Sequence, residues 1–139
     1  MQRRDFLLLT AAISLAMPQA ALAVTGDPEY APDLLKAELA AGKTVFLDFN
    51  ATWCPTCQAQ GRAIEALRAE NPAYDKAITF INVDWDTWGD SAIIKQLNIP
   101  RRSTLVVLKG DKELGRNVAD TSKVHIKALL DVALQAAVA

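Results

Sequence analysis

The segment Val45-Phe46-Leu47-Asp48-Phe49-Asn50-Ala51-Thr52-Trp53-Cys54-Pro55-Thr56-Cys57 governs how the rest of the chain is read. Thr44 to Phe49 is a short apolar run of strand-forming residues without polar alternation. Such a run predicts a strand buried on both faces, hence central in its sheet and parallel. The cysteine pair follows directly and leads into residues 58–70, where Ala63, Ile64 and Leu67 recur at helical spacing. That order puts the first sulfur at a helix N-terminus, where unpaired N–H groups and the helix dipole favour thiolate. Two intervening residues let the second thiol fold back onto a mixed disulfide formed on the first, as thiol–disulfide exchange requires.

A C-x-x-C pair has two competing readings, half of a zinc ribbon and a purely structural disulfide. The ribbon lacks its second pair in this chain, and a bridge closing so short a loop would stabilise little. With a strand before and a helix after, redox use is the better reading. Asp48 lies inside the apolar run, where an ionised carboxylate is expensive without a partner or a task. Desolvation would raise its pKa and let it exchange a proton with Cys57. A strand-end aspartate that merely reaches solvent is the other reading, and the residues alone leave both open.

Outward from this segment, Pro32-Asp33 opens a helical stretch with Leu34, Leu35 and Leu39 on one side, and Gly42 is placed to end it. Asn71-Pro72 stops the helix after the cysteines, and Ile78 to Val83 is the next strand. Asp90 is placed to cap a short helix holding Ile93, Ile94 and Leu97. Thr104 to Leu108 is a third strand, turned by Gly110-Asp111 into a weaker fourth over residues 113–118. Thr121 or Ser122 then caps a last helix carrying Ile126, Leu129, Leu130 and Ala133. Strands alternating with helices predict an α/β fold, a central mostly parallel sheet with helices on both faces and an antiparallel edge hairpin.

The 139 residues are 51% hydrophobic and 22% charged, with a formal charge of -1, an ordinary globular balance. Fifteen basic against sixteen acidic residues give no electrostatic footprint for nucleic acid or anionic lipid. Two cysteines cannot build a disulfide scaffold, and the lone His125 leaves no metal-ligand cluster. At the N-terminus, Arg3-Arg4 precedes an apolar run from Phe6 to about Met17, and Ala21-Leu22-Ala23 offers a cleavage site. This is the pattern of an export signal over residues 1–23, and Arg3-Arg4-Asp5-Phe6-Leu7 resembles a bacterial twin-arginine signal. The expectation is one domain, residues 24–139, working in the periplasm with no membrane span once the signal is removed.

The quoted segment resembles the active-site segment of thioredoxins, and the resemblance extends over residues 32–137. Within that family the arrangement is most similar to the C-terminal domain of DsbD-type periplasmic thiol–disulfide interchange proteins, with Ala92-Ile93-Ile94-Lys95-Gln96-Leu97-Asn98-Ile99 sharing that domain's character. The resemblance implies a thioredoxin-like fold and a thiol–disulfide oxidoreductase. It makes Cys54 the nucleophile, Cys57 the resolving thiol and Asp48 the carboxylate that assists Cys57. Trp53 becomes the indole beside the nucleophile, with Asp84 receiving its N–H. Trp85 and Trp88 then lie at a strand's carboxyl end, shielding a loop or widening a docking surface.

Several positions depart from the family. Ser103 stands where a cis-proline is usual, with Pro100 three residues earlier as the rival for that place. Phe80 replaces a lysine often found beside the buried acid, and Arg62 replaces a helix-kinking proline. No insertion of the cytochrome-c-maturation type separates Cys57 from the next strand. A trans Arg102–Ser103 bond is expected, with the Ser103 hydroxyl near the Cys54 sulfur and Arg102 on the docking surface, so Trp53, Arg102 and Ser103 are the substrate-binding candidates. Cys54 is expected to be the exposed and acidic thiol. The chain is thus read as a monomeric, exported reductase of partner-protein disulfides, supplied by an upstream thiol donor and using no cofactor beyond the Cys54–Cys57 pair. Two alternatives remain: two chains joining their cysteine pairs around zinc or an iron–sulfur cluster, and a partner-binding domain without turnover.

Overall fold

In the computed structural model, which describes residues 26–139, Pro32 opens helix α1 (Pro32–Ala40) at its first position. Its fixed φ suits a place where no N–H is needed. Gly42, at φ +79°, makes the turn that follows. The apolar run becomes strand β1 (Thr44–Asn50), and the cysteines open helix α2 (Pro55–Glu70). Asn71-Pro72 ends α2 as expected, but Asn71 Oδ1 accepts the Ala73 N–H at 3.2 Å and starts a short helix that the sequence reading had not found, α3 (Ala73–Ala77). Strand β2 (Ile78–Asp84) follows, then two further short helices, α4 (Trp85–Trp88) and α5 (Ala92–Gln96). Ser91, not Asp90, occupies the cap position of α5, and its hydroxyl donates to the Trp88 carbonyl instead of capping. Strands β3 (Thr104–Lys109) and β4 (Lys112–Val118) form the hairpin, and α6 (Lys123–Val138) is capped by Ser122. The export signal expected over residues 1–23 lies outside the described residues.

The strand order is β2-β1-β3-β4. The α/β fold is the expected one, but two of the three strand pairings are antiparallel where alternation predicted mostly parallel pairing. β1 runs parallel to β2 and antiparallel to β3, and β3 is antiparallel to β4. The connection from β2 to β3, which contains only the short helices α4 and α5, does not return to the far end of the sheet. Asp84 pairs with Asn50 and Thr104 pairs with Phe49, so β3 starts at the end where β1 and β2 finish. Of the segment between Asp84 and Thr104, its two ends meet the cysteines: Trp85 packs against the pair and Ser103 reaches both sulfurs.

β1 lacks polar alternation because both its faces are covered. Val45, Leu47 and Phe49 face a core with Leu35, Ile81, Val83, Ile93 and Val106, while Phe46 joins Ile64, Leu67, Leu105 and Leu130 opposite. Side chains alternate along a strand, so Asp48 shares the Phe46 face. That is the face covered by α2, the helix that carries Cys57. Ahead of α1, the Tyr30 N–H donates to Asn82 O and the Asn82 N–H to Pro28 O, laying the lead-in along the free edge of β2.

Candidate active site

Cys54 is the N-cap of α2, with extended backbone (φ -88°, ψ 112°) and Pro55 at the first helical position. Its Sγ accepts the Cys57 N–H at 3.2 Å, so an orphan donor of the helix end is spent on the sulfur. Burial pushes the Cys54 thiol up, but hydrogen bonds from the Cys57 side chain, Ser103, the Cys57 backbone and Arg102 outweigh it and bring it down to about 6. Burial pushes the Cys57 thiol the other way, and its position beside Cys54 adds to the rise. The acidic thiol is Cys54, as expected. It is not the exposed one: Cys54 is 1% and Cys57 5% exposed, both unpaired thiols, because Ser103 and Trp85 pack against the pair.

Asp48 is half-buried, with its Oδ1 enclosed and without a hydrogen-bond partner among the described residues. Burial raises it to about 7, opposed by a hydrogen bond from Asn50 and reinforced by the charges of Asp27 and Cys54. Asp48 and Cys57 line one cavity of about 220 Å³ together with Asn50 and Gly61. That volume exceeds the ~30 Å³ share of one water, so the acid reaches the thiol through solvent-sized space. The position of the absent lysine is taken by Phe80, whose ring lies 3.9 Å from the Arg68 guanidinium. Arg68 itself is held by Asp27 (2.7 Å) and Asp75 (2.5 Å).

Trp53 is 53% exposed beside the nucleophile. Its N–H goes to Asp86, at 3.1 and 3.0 Å from the two carboxylate oxygens, and not to Asp84. Asp84 is the N-cap of α4 and its carboxylate is occupied by the Thr87 N–H (3.1 Å) and hydroxyl (2.6 Å). Asp86, two residues later and exposed, is the acid left to meet the indole, because the short α4 takes up the carboxylate of the expected partner, Asp84. Over the same indole sits Arg102, its Cζ 4.4 Å from the ring centroid. Trp85 packs against the cysteines, whereas Trp88 packs edge-on against Tyr30 at 4.9 Å. Both shield the core.

Ser103 holds the place its alignment predicted. No peptide bond among the described residues is cis, and Pro100 is exposed. Ser103 takes φ +63°, and its hydroxyl lies 3.2 Å from Cys54 Sγ and 3.1 Å from Cys57 Sγ. It touches both sulfurs where one was expected. It is also fully buried, so its side chain faces the cysteines rather than a docked substrate. Gln60, fully buried on α2, donates to the carbonyls of Ser103 (3.1 Å) and Asp120 (3.2 Å). This anchoring residue was missed. Its signal in the sequence was an amide at helical spacing between the apolar positions of α2, and nothing in the sequence placed the carbonyls it meets.

A family model for thioredoxin matches residues 24–132. A thioredoxin of Echinococcus granulosus is 29% identical over 98 residues, covering 70% of this chain and 85% of that one. An H-type thioredoxin of Brassica campestris is 30% identical over 96 residues, covering 69% and 72% respectively. Among solved structures, Trxlp from Edwardsiella tarda superposes with a TM-score of 0.67 at 28% identity, over 76% of this chain and 98% of that one. A thioredoxin of Malassezia sympodialis gives 0.62 at 29% identity, over 77% and 92%.

Proposed function

Because the chain belongs to the thioredoxin family and is a thiol–disulfide oxidoreductase, we propose that it is exported and reduces disulfides of partner proteins outside the cytoplasm. The observation that carries this reading is Cys54 at the N-cap of α2, its sulfur accepting the Cys57 N–H at 3.2 Å. Cys54 thiolate attacks a partner disulfide, forming a mixed disulfide and releasing one partner thiolate. Cys57 then gives its proton towards Asp48 and attacks Cys54 Sγ, so the second partner sulfur leaves and the Cys54–Cys57 disulfide closes. An acid at about 7 suits this exchange, since it both takes and returns a proton near neutrality. The electrons travel in the sulfurs, so no organic cofactor enters, and an upstream thiol donor restores the dithiol.

Reduction is favoured over oxidation because Thr56 brings no cation to the Cys54 thiolate. The exposed indole of Trp53 with the Arg102 guanidinium over it forms the docking face, a positive charge that selects acidic partners. Export rests on the Arg3-Arg4 signal and the Ala21-Leu22-Ala23 site. No helix among the described residues is long and apolar enough to cross a membrane.

An insulin-type reduction assay with Cys54→Ser as control tests the activity; equal turnover by both proteins would sink it. Cys57→Ala should accumulate a mixed disulfide on Cys54 and let the partner be weighed. For export, the full chain should lose residues 1–23 on reaching the periplasm, and Arg3→Lys with Arg4→Lys should block this. An unprocessed chain in the cytoplasm would overturn the localisation.

A further inference from the structure

Ser103 is fixed on every side except its hydroxyl hydrogen. Its N–H donates to Phe49 O at 2.7 Å, and its carbonyl accepts the Ala119 N–H at 2.8 Å and Gln60 Nε2 at 3.1 Å. The residue is fully buried, and its Oγ sits 3.2 and 3.1 Å from the two sulfurs. A hydroxyl carries one hydrogen and two acceptor lone pairs. It can therefore donate to one sulfur while accepting from the other, but it cannot donate to both. With Cys54 as thiolate and Cys57 as thiol, the sense of the O–H is fixed: it donates to Cys54, while the Cys57 S–H has both Cys54 Sγ and Oγ within reach as acceptors.

We propose that Ser103 is a catalytic residue whose single hydroxyl hydrogen follows the negative charge from Cys54 to Cys57 during the exchange. This rests on Cys54 as nucleophile and Cys57 as resolving thiol. In the first step Cys54 thiolate attacks R–S–S–R′; the Cys54–R disulfide forms, the R–R′ disulfide breaks and R′–S⁻ leaves. Cys54 is then neutral and holds the hydroxyl hydrogen weakly. As Cys57 loses its proton to the Asp48 carboxylate, the O–H turns and donates to the Cys57 sulfur. Cys57 attacks Cys54 Sγ, the Cys54–Cys57 bond forms and R–S⁻ leaves. Two cysteine sulfurs are oxidised, two partner sulfurs are reduced, and the one proton released rests on Asp48. A disulfide sulfur accepts a hydrogen bond less well than a thiolate, so the same hydroxyl holds the protein towards its reduced form.

The test uses Ser103→Gly, which suits φ +63°, and Ser103→Ala, in single-turnover reaction with a small aromatic disulfide that releases one coloured thiolate at each step. A hydrogen bond to a charged sulfur is worth about tenfold or more. Measured below the Cys54 midpoint, where thiolate fraction limits both steps, both releases should slow about threefold, because a more basic sulfur is also the better nucleophile; the pH midpoint of the first should rise, and the glutathione equilibrium should move about tenfold towards disulfide. Slowing of one release alone, or unchanged rates in both variants, overturns the switch while leaving the exchange in place. A wild-type protein that releases no thiolate overturns both readings. In the unaltered reduced protein, the Cys57 S–H stretch should lie at the low frequency of a hydrogen-bonded thiol, and a free-thiol frequency overturns the proposal without any variant.

Discussion

Asp48 and Arg102 show how one side chain acquires a task from its surroundings. Asp48 is raised to about 7 chiefly by burial, and it shares a cavity with Cys57, the resolving thiol. Asp48→Asn should therefore slow release of the mixed disulfide by at least about tenfold, within the range of general acid–base contributions, while leaving its formation within twofold or so. Rapid-quench separation of the two steps checks this, and equal slowing would reduce Asp48 to a structural residue. Cys54, held at about 6 by its hydrogen bonds against the pull of burial, should be alkylated before Cys57, with a rate that rises through that pH. Because both sulfurs are buried, acidity and not exposure sets the order; Cys57 reacting first would reverse the roles. Arg102 stacks on Trp53, so Arg102→Glu should cut association with acidic partners about tenfold at low salt and reverse its salt dependence. Stopped-flow rates across ionic strength measure it.

The cysteine site depends on short elements that end near it. α4 binds Asp84 as its cap and thereby presents Asp86 to Trp53. Gly89 closes that helix where a Cβ would come 2.7 Å from the Trp85 carbonyl, so the turn tolerates no side chain. On the other side, Gln60 of α2 ties the Ser103 segment to the helix that carries Cys57. Gln60→Ala would remove a donor from two carbonyls, of which Ser103 keeps the Ala119 N–H. The expected cost is about 1–3 kcal/mol, read by chemical denaturation. Faster amide exchange at Ser103 and Ala119 should accompany it; unchanged exchange there would mean that the backbone alone holds the segment.

For the molecule as a whole, the buried acid makes stability depend on pH. The Asp48 pKa in the folded chain is about 7 against an ordinary 3.8, so between those values the folded state holds the proton and the unfolded state has lost it. Stability is greatest below that window, falls as pH rises through it and is level above. At about 1.4 kcal/mol per unit, with Asp48 as a whole only half-buried, the loss is a few kcal/mol at most. Asp48→Asn should be flat across the window and more stable than wild type at pH 8. Denaturation of the disulfide form, in which Cys54 does not titrate, isolates the effect, and parallel curves would remove Asp48 as its source. The amino-acid sequence determined the α/β order, the helix N-terminus at Cys54 and the identity of the two thiols, because helix periodicity, Pro55 and the spacing of the pair are local properties. It also placed Ser103 beside the sulfurs, through alignment against a known pattern. The antiparallel setting of β3, the choice of Asp86 over Asp84, the anchoring by Gln60 and the burial of both cysteines were decided only by the tertiary structure. Each depends on where segments distant in the chain come to rest, which no local pattern of residues encodes.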